Sequence, residues 1–223
     1  MALIAPLAID GVFVGAGVPL ADAGRSSAIA KSARAGAVRL GEEGLAGDAQ
    51  ADRRVHGGAE KALHHFPAEH YACLAAVFPA ACHLTPGGLG ENISTRGLTE
   101  NDICIGDVFA LGSARIQVAQ PRTPCWKIDH RAGCEGVAAH IAEQGTAGWY
   151  YRVLRPGEIA AGDSLIHMER PAGAVSLARF WRTLRAAHPS PEALQRLARA
   201  PGLNPDWVRK LHERIDWLLK NAR

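Results

Sequence analysis

The nine residues Gln120-Pro-Arg-Thr-Pro-Cys-Trp-Lys-Ile128 hold one cysteine between two cations on a segment stiffened by two prolines. Arg122 and Lys127 favour the thiolate of Cys125, the form that attacks electrophiles and ligates soft metals. Pro121 and Pro124 fix φ at their own positions and restrict the residues before them, so the loop is built to hold its shape. Cys125 is the first candidate for chemistry, as nucleophile or as metal ligand. The other cysteines, at 73, 82, 104 and 134, make no C-x-x-C pair, and the odd total argues against a disulfide framework or zinc ribbon. A reducing cytoplasm fits this usage.

A second set of candidates lies upstream. His56-Gly57-Gly58 puts an imidazole beside two residues that let a ligand approach the backbone. His64, His65 and His70 follow, but their spacing does not match a helical H-E-x-x-H, and an extended Lys61–Phe66 puts His64 and His65 on opposite faces. His56 and His64 therefore read as hydrogen-bonding or proton-delivering groups rather than members of a zinc site, which needs three converging ligands. Glycines 87, 88 and 90, followed by Glu91 and Asn92, form either an anion-binding nest of N–H groups or a plain β-turn. Arg122 has the fork that matches phosphate, and Lys31 and Lys127 add point charges. Asp48, Glu91 and Asp107 are candidates for proton handling, although Asp107 reads better as the end of a strand.

These side chains need a scaffold, and residues 1–169 read as short strands punctuated by glycine. Ile103–Ala110 and Ala114–Ala119 form an expected hairpin whose second strand, with Ala114, Ile116 and Val118 alternating against Arg115 and Gln117, delivers the cysteine loop. Trp149–Leu154 and Ser164–Met168 make a later pair of strands across a turn-rich stretch. Helices are expected after Pro67, through Tyr71, Leu74 and Phe78 to a stop at Pro79, and around Val137 and Ile141, ending at Gly145. After residue 173 the period becomes helical. Ser176, Ser190-Pro191-Glu192 and Asn204-Pro205-Asp206 are N-cap signals for three short helices. The expected fold is mainly β with helices, a barrel-like β core over 1–170 and a small C-terminal three-helix bundle over 174–223.

Charge divides the chain in the same place. The formal net charge is +3, but from Arg170 to Arg223 there are eleven Lys or Arg against four Asp or Glu, so the remainder is mildly acidic. The basic tail suits an acidic protein such as a flavodoxin-like electron donor, a nucleic-acid contact, or only solvent; specific nucleic-acid binding is not expected. The apolar run from Met1 to Ile9 lacks a basic flank and a clear cleavage site, so it is not read as a signal peptide, and no stretch approaches a membrane span. Rossmann, Walker, nucleophile-elbow and clustered iron–sulfur patterns are absent from the sequence, so redox chemistry here needs electrons from outside.

Gly44-Leu-Ala-Gly-Asp48, His56-Gly-Gly58, Gly90-Glu-Asn92 and Gln120-Pro-Arg-Thr-Pro-Cys125 follow the order and approximate spacing of the MOSC domain, over roughly residues 25–220. The chain resembles most the bacterial YiiM type, which appends three helices. The resemblance implies a molybdenum cofactor, molybdopterin with Mo, whose metal takes Cys125 as its protein ligand. It further implies pocket roles for Lys31, His56, Asn92, Arg122 and Thr123; the residue types themselves add Gly57, Gly58, Glu91 and Lys127 as cofactor-binding candidates and His56 and His64 beside Cys125 as catalytic ones. The implied activity is reduction of small N-hydroxylated compounds, including N-hydroxylated purines such as 6-hydroxylaminopurine, with an external flavoprotein or flavodoxin-type donor. A sulfur or cofactor carrier using a Cys125 persulfide is the alternative, and a metal-free cysteine hydrolase lacks a recognisable His–Asp pairing.

Overall fold

A computed structural model describes residues 4–20, 25–50 and 57–221. Its largest sheet has nine strands in the order β1 (Leu7–Ala8), β14 (Ser164–Glu169), β10 (Val108–Leu111), β11 (Ala114–Pro121), β12 (Trp149–Arg155), β8 (Leu63–His65), β9 (Ile93–Ser94), β2 (Gly11–Val14) and β5 (Ser32–Ala33), numbered along the chain. The sheet curls into a half-barrel. Every pairing in it is antiparallel except β8 with β9. A smaller sheet joins β13 (Gly157–Ile159), β6 (Val38–Gly41) and β7 (Gly44–Leu45), and β3 (Val18–Leu20) pairs with β4 (Arg25–Ser27).

The hairpin that carries the cysteine loop forms as its alternation predicts, with Leu111 opposite Ala114 and Phe109 opposite Ile116. Its first strand, however, begins at Val108 rather than Ile103. Asp107 is the reason: its carboxylate accepts the Cys104 N–H at 2.8 Å and its own N–H donates to the Cys104 carbonyl, closing a turn that leaves Cys104 in an isolated bridge to Ser176. The two later strands both form but do not pair with each other. β12 and β14 lie on either side of β10 and β11, and the turn-rich stretch between them contains β13, which leaves to pair with β6.

Six helices complete the described chain: α1 (Glu69–Val77), α2 (Lys127–Ala132), α3 (Val137–Gln144), α4 (Leu177–Arg185), α5 (Pro191–Ala198) and α6 (Pro205–Asn221). The capping signals work as side-chain bonds, Ser176 accepting from the Arg179 N–H and Ser190 from the Ala193 N–H, each satisfying an otherwise orphaned donor of the first turn. Buried Leu177, Phe180, Leu194, Leu197, Leu211 and Ile215 join the apolar cluster of β10, β11 and β12, so the three last helices and the sheet share one continuous core. A second cluster, built on Phe66, Tyr71, Leu74, Leu89, Ile128, Val137 and Ile141, lies under α1, α2 and α3.

Candidate functional site

β11 delivers the cysteine loop with its direction already set. A register shift against β12 between Val118 and Gln120 bends the strand, as a bulge does, just before Arg122. Asn204 donates its N–H to the Ala119 carbonyl and Gln120 Nε2 donates to the Glu60 carbonyl, bracing the strand from the helical segment and from the 59–61 turn. Beyond the loop, α2 starts two residues after Cys125, and the Ile128 N–H bonds to the Cys125 carbonyl at 3.0 Å. Fully buried Ile128 and Ala132 fix that helix in the second apolar cluster. Cys125 is thus pinned on both sides while its residue stays partly accessible.

The sulfur borders a cleft of about 580 Å³, counting its solvent-open part, lined by Lys31, Asp48, Lys61, His64, Asn92, Arg122, Cys125, Lys127 and Tyr150, with Ser27–Ile29, Ala49, Gln50 and Gly90. One wall is a hydrogen-bonded chain. Lys31 Nζ meets Asp48 Oδ2 at 2.5 Å, Asn92 Nδ2 donates to the same oxygen at 2.8 Å, and Asn92 Oδ1 accepts the His64 N–H at 3.0 Å. Asp48 Oδ1 accepts the Gly15 N–H as well. Burial pushes the Lys31 ammonium down, and the Asp48 carboxylate opposes that shift.

Among the described residues, four cations and one carboxylate line the cleft, and that carboxylate bonds to Lys31. Arg122 is nearly buried, its N–H tied to the Gly148 carbonyl at 3.1 Å, and its Nη1 is buried with no hydrogen-bond partner. Lys127 donates to the Ser26 carbonyl at 3.1 Å. Burial also lowers the Lys61 ammonium, and Lys210 of α6 adds repulsion, which places the first turns of α6 within electrostatic reach of the cleft.

Two neutral polar rings complete the site. His64 is held well below its ordinary pKa by burial and by the Arg122 charge; its Nε2 lies 3.4 Å from the Ala147 carbonyl, and no hydrogen bond of good geometry reaches Nδ1. Tyr150 packs against the His64 ring at 5.0 Å between centroids. Burial raises its hydroxyl pKa, opposed by the neighbouring Arg122 and reinforced by Cys125, so it stays a protonated donor at neutral pH.

The structure therefore brings Lys31, His64, Asn92, Arg122, Cys125 and Lys127 together, and it places four other expected residues elsewhere. Glu91 is fully buried under the glycine turn, accepting from Tyr71 Oη and the Gly87 and Leu89 N–H groups, so it shapes the turn from behind. Thr123 points out to solvent because the strand has ended. Gly57 and Gly58 do not line the cleft, although the Gly58 N–H donates to Gln50, which does. His56 lies outside the described residues. His65 faces the core between Tyr151 and Thr95, and Asp107 is gripped by the fork of Arg170, so neither reaches Cys125. Tyr150 and Lys61 escaped sequence reading; the signal for Tyr150 is its alternation with Trp149 and Tyr151, both of which face the core. Among the described residues no three His, Cys, Asp or Glu side chains converge as metal ligands.

The model of the MOSC domain matches residues 52–166. Protein YiiM of Escherichia coli (strain K12) is 39% identical over 195 residues, covering 86% of this chain and 85% of that protein. A protein named "Reductase" from Gibberella moniliformis is 34% identical over 178 residues, covering 79% of this chain but only 32% of the fungal protein. The crystal structure of YiiM from Geobacillus stearothermophilus superposes with a TM-score of 0.80 at 30% identity, covering 94% of this chain and all of that one.

Proposed function

The chain belongs to the MOSC domain family, and from that premise we propose that it is a cytoplasmic molybdenum cofactor-dependent reductase of N-hydroxylated compounds, N-hydroxylated purines such as 6-hydroxylaminopurine among them. The reading fits a relative named as a reductase. The observation that carries it is the pairing of a partly accessible thiol, Cys125, with the buried and unpartnered Arg122 Nη1 in one cationic cleft.

The residues present suit the cofactor. A single soft sulfur and no all-protein ligand cluster among the described residues match a metal that arrives on its own organic ligand. Cys125 would hold the metal, and Arg122, Lys61 and Lys127 would hold the phosphate of the pterin, Arg122 through its unused nitrogen. Bound there, the cofactor would supply the two electrons of the reduction. Reduction of N–OH to N–H consumes two electrons and two protons and releases one water. Tyr150 Oη is a protonated donor beside Cys125, and neutral His64 accepts rather than carries a charge, so the two rings orient the N–OH group and pass protons without adding charge. Electrons come from a separate flavoprotein or flavodoxin-type donor.

The test is molybdenum per chain and turnover of 6-hydroxylaminopurine with a reducing partner, on protein made in a cofactor-competent host, for the parent and for Cys125→Ser. Near-stoichiometric metal and multiple turnover, both lost in the variant, are expected. Full activity in Cys125→Ser, or labile sulfur at Cys125 without metal, overturns the assignment.

A further inference from the structure

A second cavity, of about 460 Å³ including its open part, lies away from Cys125 between α4, the 99–101 loop and the end of α3, lined by His70, Glu100, Thr146, Trp181 and Arg185 among others. Its polar groups are unevenly satisfied. His70 Nε2 lies 2.8 Å from Glu100 Oε2, and Glu100 Oε1 accepts the Gly148 N–H at 2.8 Å, so the one carboxylate of the cavity has both oxygens engaged. Trp181 is only 7% exposed, yet its indole Nε1 has no acceptor. One turn further along α4, Arg185 spends Nη1 on the Ala142 and Glu143 carbonyls that end α3, and among the described residues no carboxylate pairs with it.

A buried donor without an acceptor costs roughly 1–3 kcal/mol and is uncommon in folded proteins. Here it stands near a guanidinium whose partners among the described residues are the Trp181, Ala142 and Glu143 carbonyls. The Glu100–His70 pair lines the same cavity, so its lining includes a residue whose indole N–H has no acceptor and an exposed cation. A small oxyanion is the class of ligand that an unpaired N–H donor and a guanidinium both attract. We propose that this cavity is a binding site for a small organic carboxylate, one oxygen accepting from Trp181 Nε1 and the charge facing Arg185. The site is independent of Cys125 and of any cofactor. Glu100 of its lining accepts the Gly148 N–H, and the Gly148 carbonyl holds the Arg122 N–H, so two hydrogen bonds link that side chain to the backbone of the first cleft.

The experiment is a calorimetric and thermal-shift titration of the full chain with acetate, succinate and citrate against chloride at matched ionic strength. Saturable binding of at least one carboxylate, and none of chloride, is expected. Trp181→Phe keeps most of the ring and removes the donor; it should weaken binding at least tenfold while its unliganded melting temperature stays equal to the parent or rises. Arg185→Gln should weaken binding by a similar factor. Arg122→Met, which alters the first cleft, should leave it intact. No saturable binding, undiminished affinity in Trp181→Phe, or loss on Arg122→Met, which assigns the ligand to the first cleft, each overturns the proposal.

Discussion

Asn92 Nδ2 lies 2.8 Å from Asp48 Oδ2, and this bond joins two segments 44 residues apart at the counter-ion of Lys31. Both side chains of the Lys31–Asp48 pair are almost buried, at 7% and 6% exposure. Removing one partner of a buried pair strands the other charge, at a cost of about 3–5 kcal/mol. Asp48→Asn should therefore lower unfolding free energy by roughly 3 kcal/mol in urea titration, and adding Lys31→Met should recover part of the loss. A change under about 1 kcal/mol in the single variant would show that the pair is solvated rather than buried.

Arg122 presents the opposite case. Among the described residues its Nη1 has no hydrogen-bond partner, while its backbone is held through Gly148 whatever the side chain. Arg122→Met should change stability by less than about 1 kcal/mol yet reduce the cofactor retained through purification at least tenfold. Undiminished loading, read as phosphorus and molybdenum per chain, would remove Arg122 from the anchor role.

The sequence made the local parts of this architecture readable. Alternation in Ala114–Val118 found the strand that delivers Cys125, and Ser176 and Ser190 marked two helix starts because capping is decided within three residues. Convergence was harder to read. Glu91 and Asn92 are neighbours in sequence, but successive residues of an extended segment face opposite sides, so only Asn92 reaches the cleft. Alternation puts Tyr150 on the face opposite Trp149 and Tyr151, but that face borders the cleft because β12 pairs with both β11 and β8, a long-range choice. The early end of β10 depended on Asp107 bonding back to Cys104, a side-chain-to-backbone competition that apolar periodicity does not register.

Gly148 bonds to one residue of each cavity, donating its N–H to Glu100 and accepting the Arg122 N–H. Its φ is +73°, and a Cβ there would lie 2.1 Å from the His65 carbonyl, a backbone atom that cannot move aside alone. Gly90 has a similar φ of +88°, but its Cβ would meet the Ile29 side chain at 3.2 Å, which can shift by a few tenths of an ångström. Gly148→Ala should thus cost well over 2 kcal/mol, and Gly90→Ala closer to 1 kcal/mol. Equal melting temperatures for the two variants would contradict the packing difference.

His65 makes acid stability a further test. Burial drops its pKa from 6.5 to about 3, and its nitrogens lie 3.1 Å from Tyr151 Oη and 2.9 Å from Thr95 Oγ1. The unfolded chain then binds a proton at His65 below pH 6.5 while the folded chain does not until about pH 3. Its contribution is fully present above pH 6.5 and falls as the pH is lowered through that window, by up to about 1.4 kcal/mol per pH unit. Between pH 7 and pH 5 the parent should lose about 2 kcal/mol more than His65→Gln, measured by urea unfolding at each pH. His64, also lowered by burial and by Arg122, titrates in the same direction and is present in both proteins, so the difference isolates His65. Parallel pH profiles for parent and variant would mean that the folded imidazole accepts its proton near the ordinary value, and with it that the core around Tyr151 admits charge.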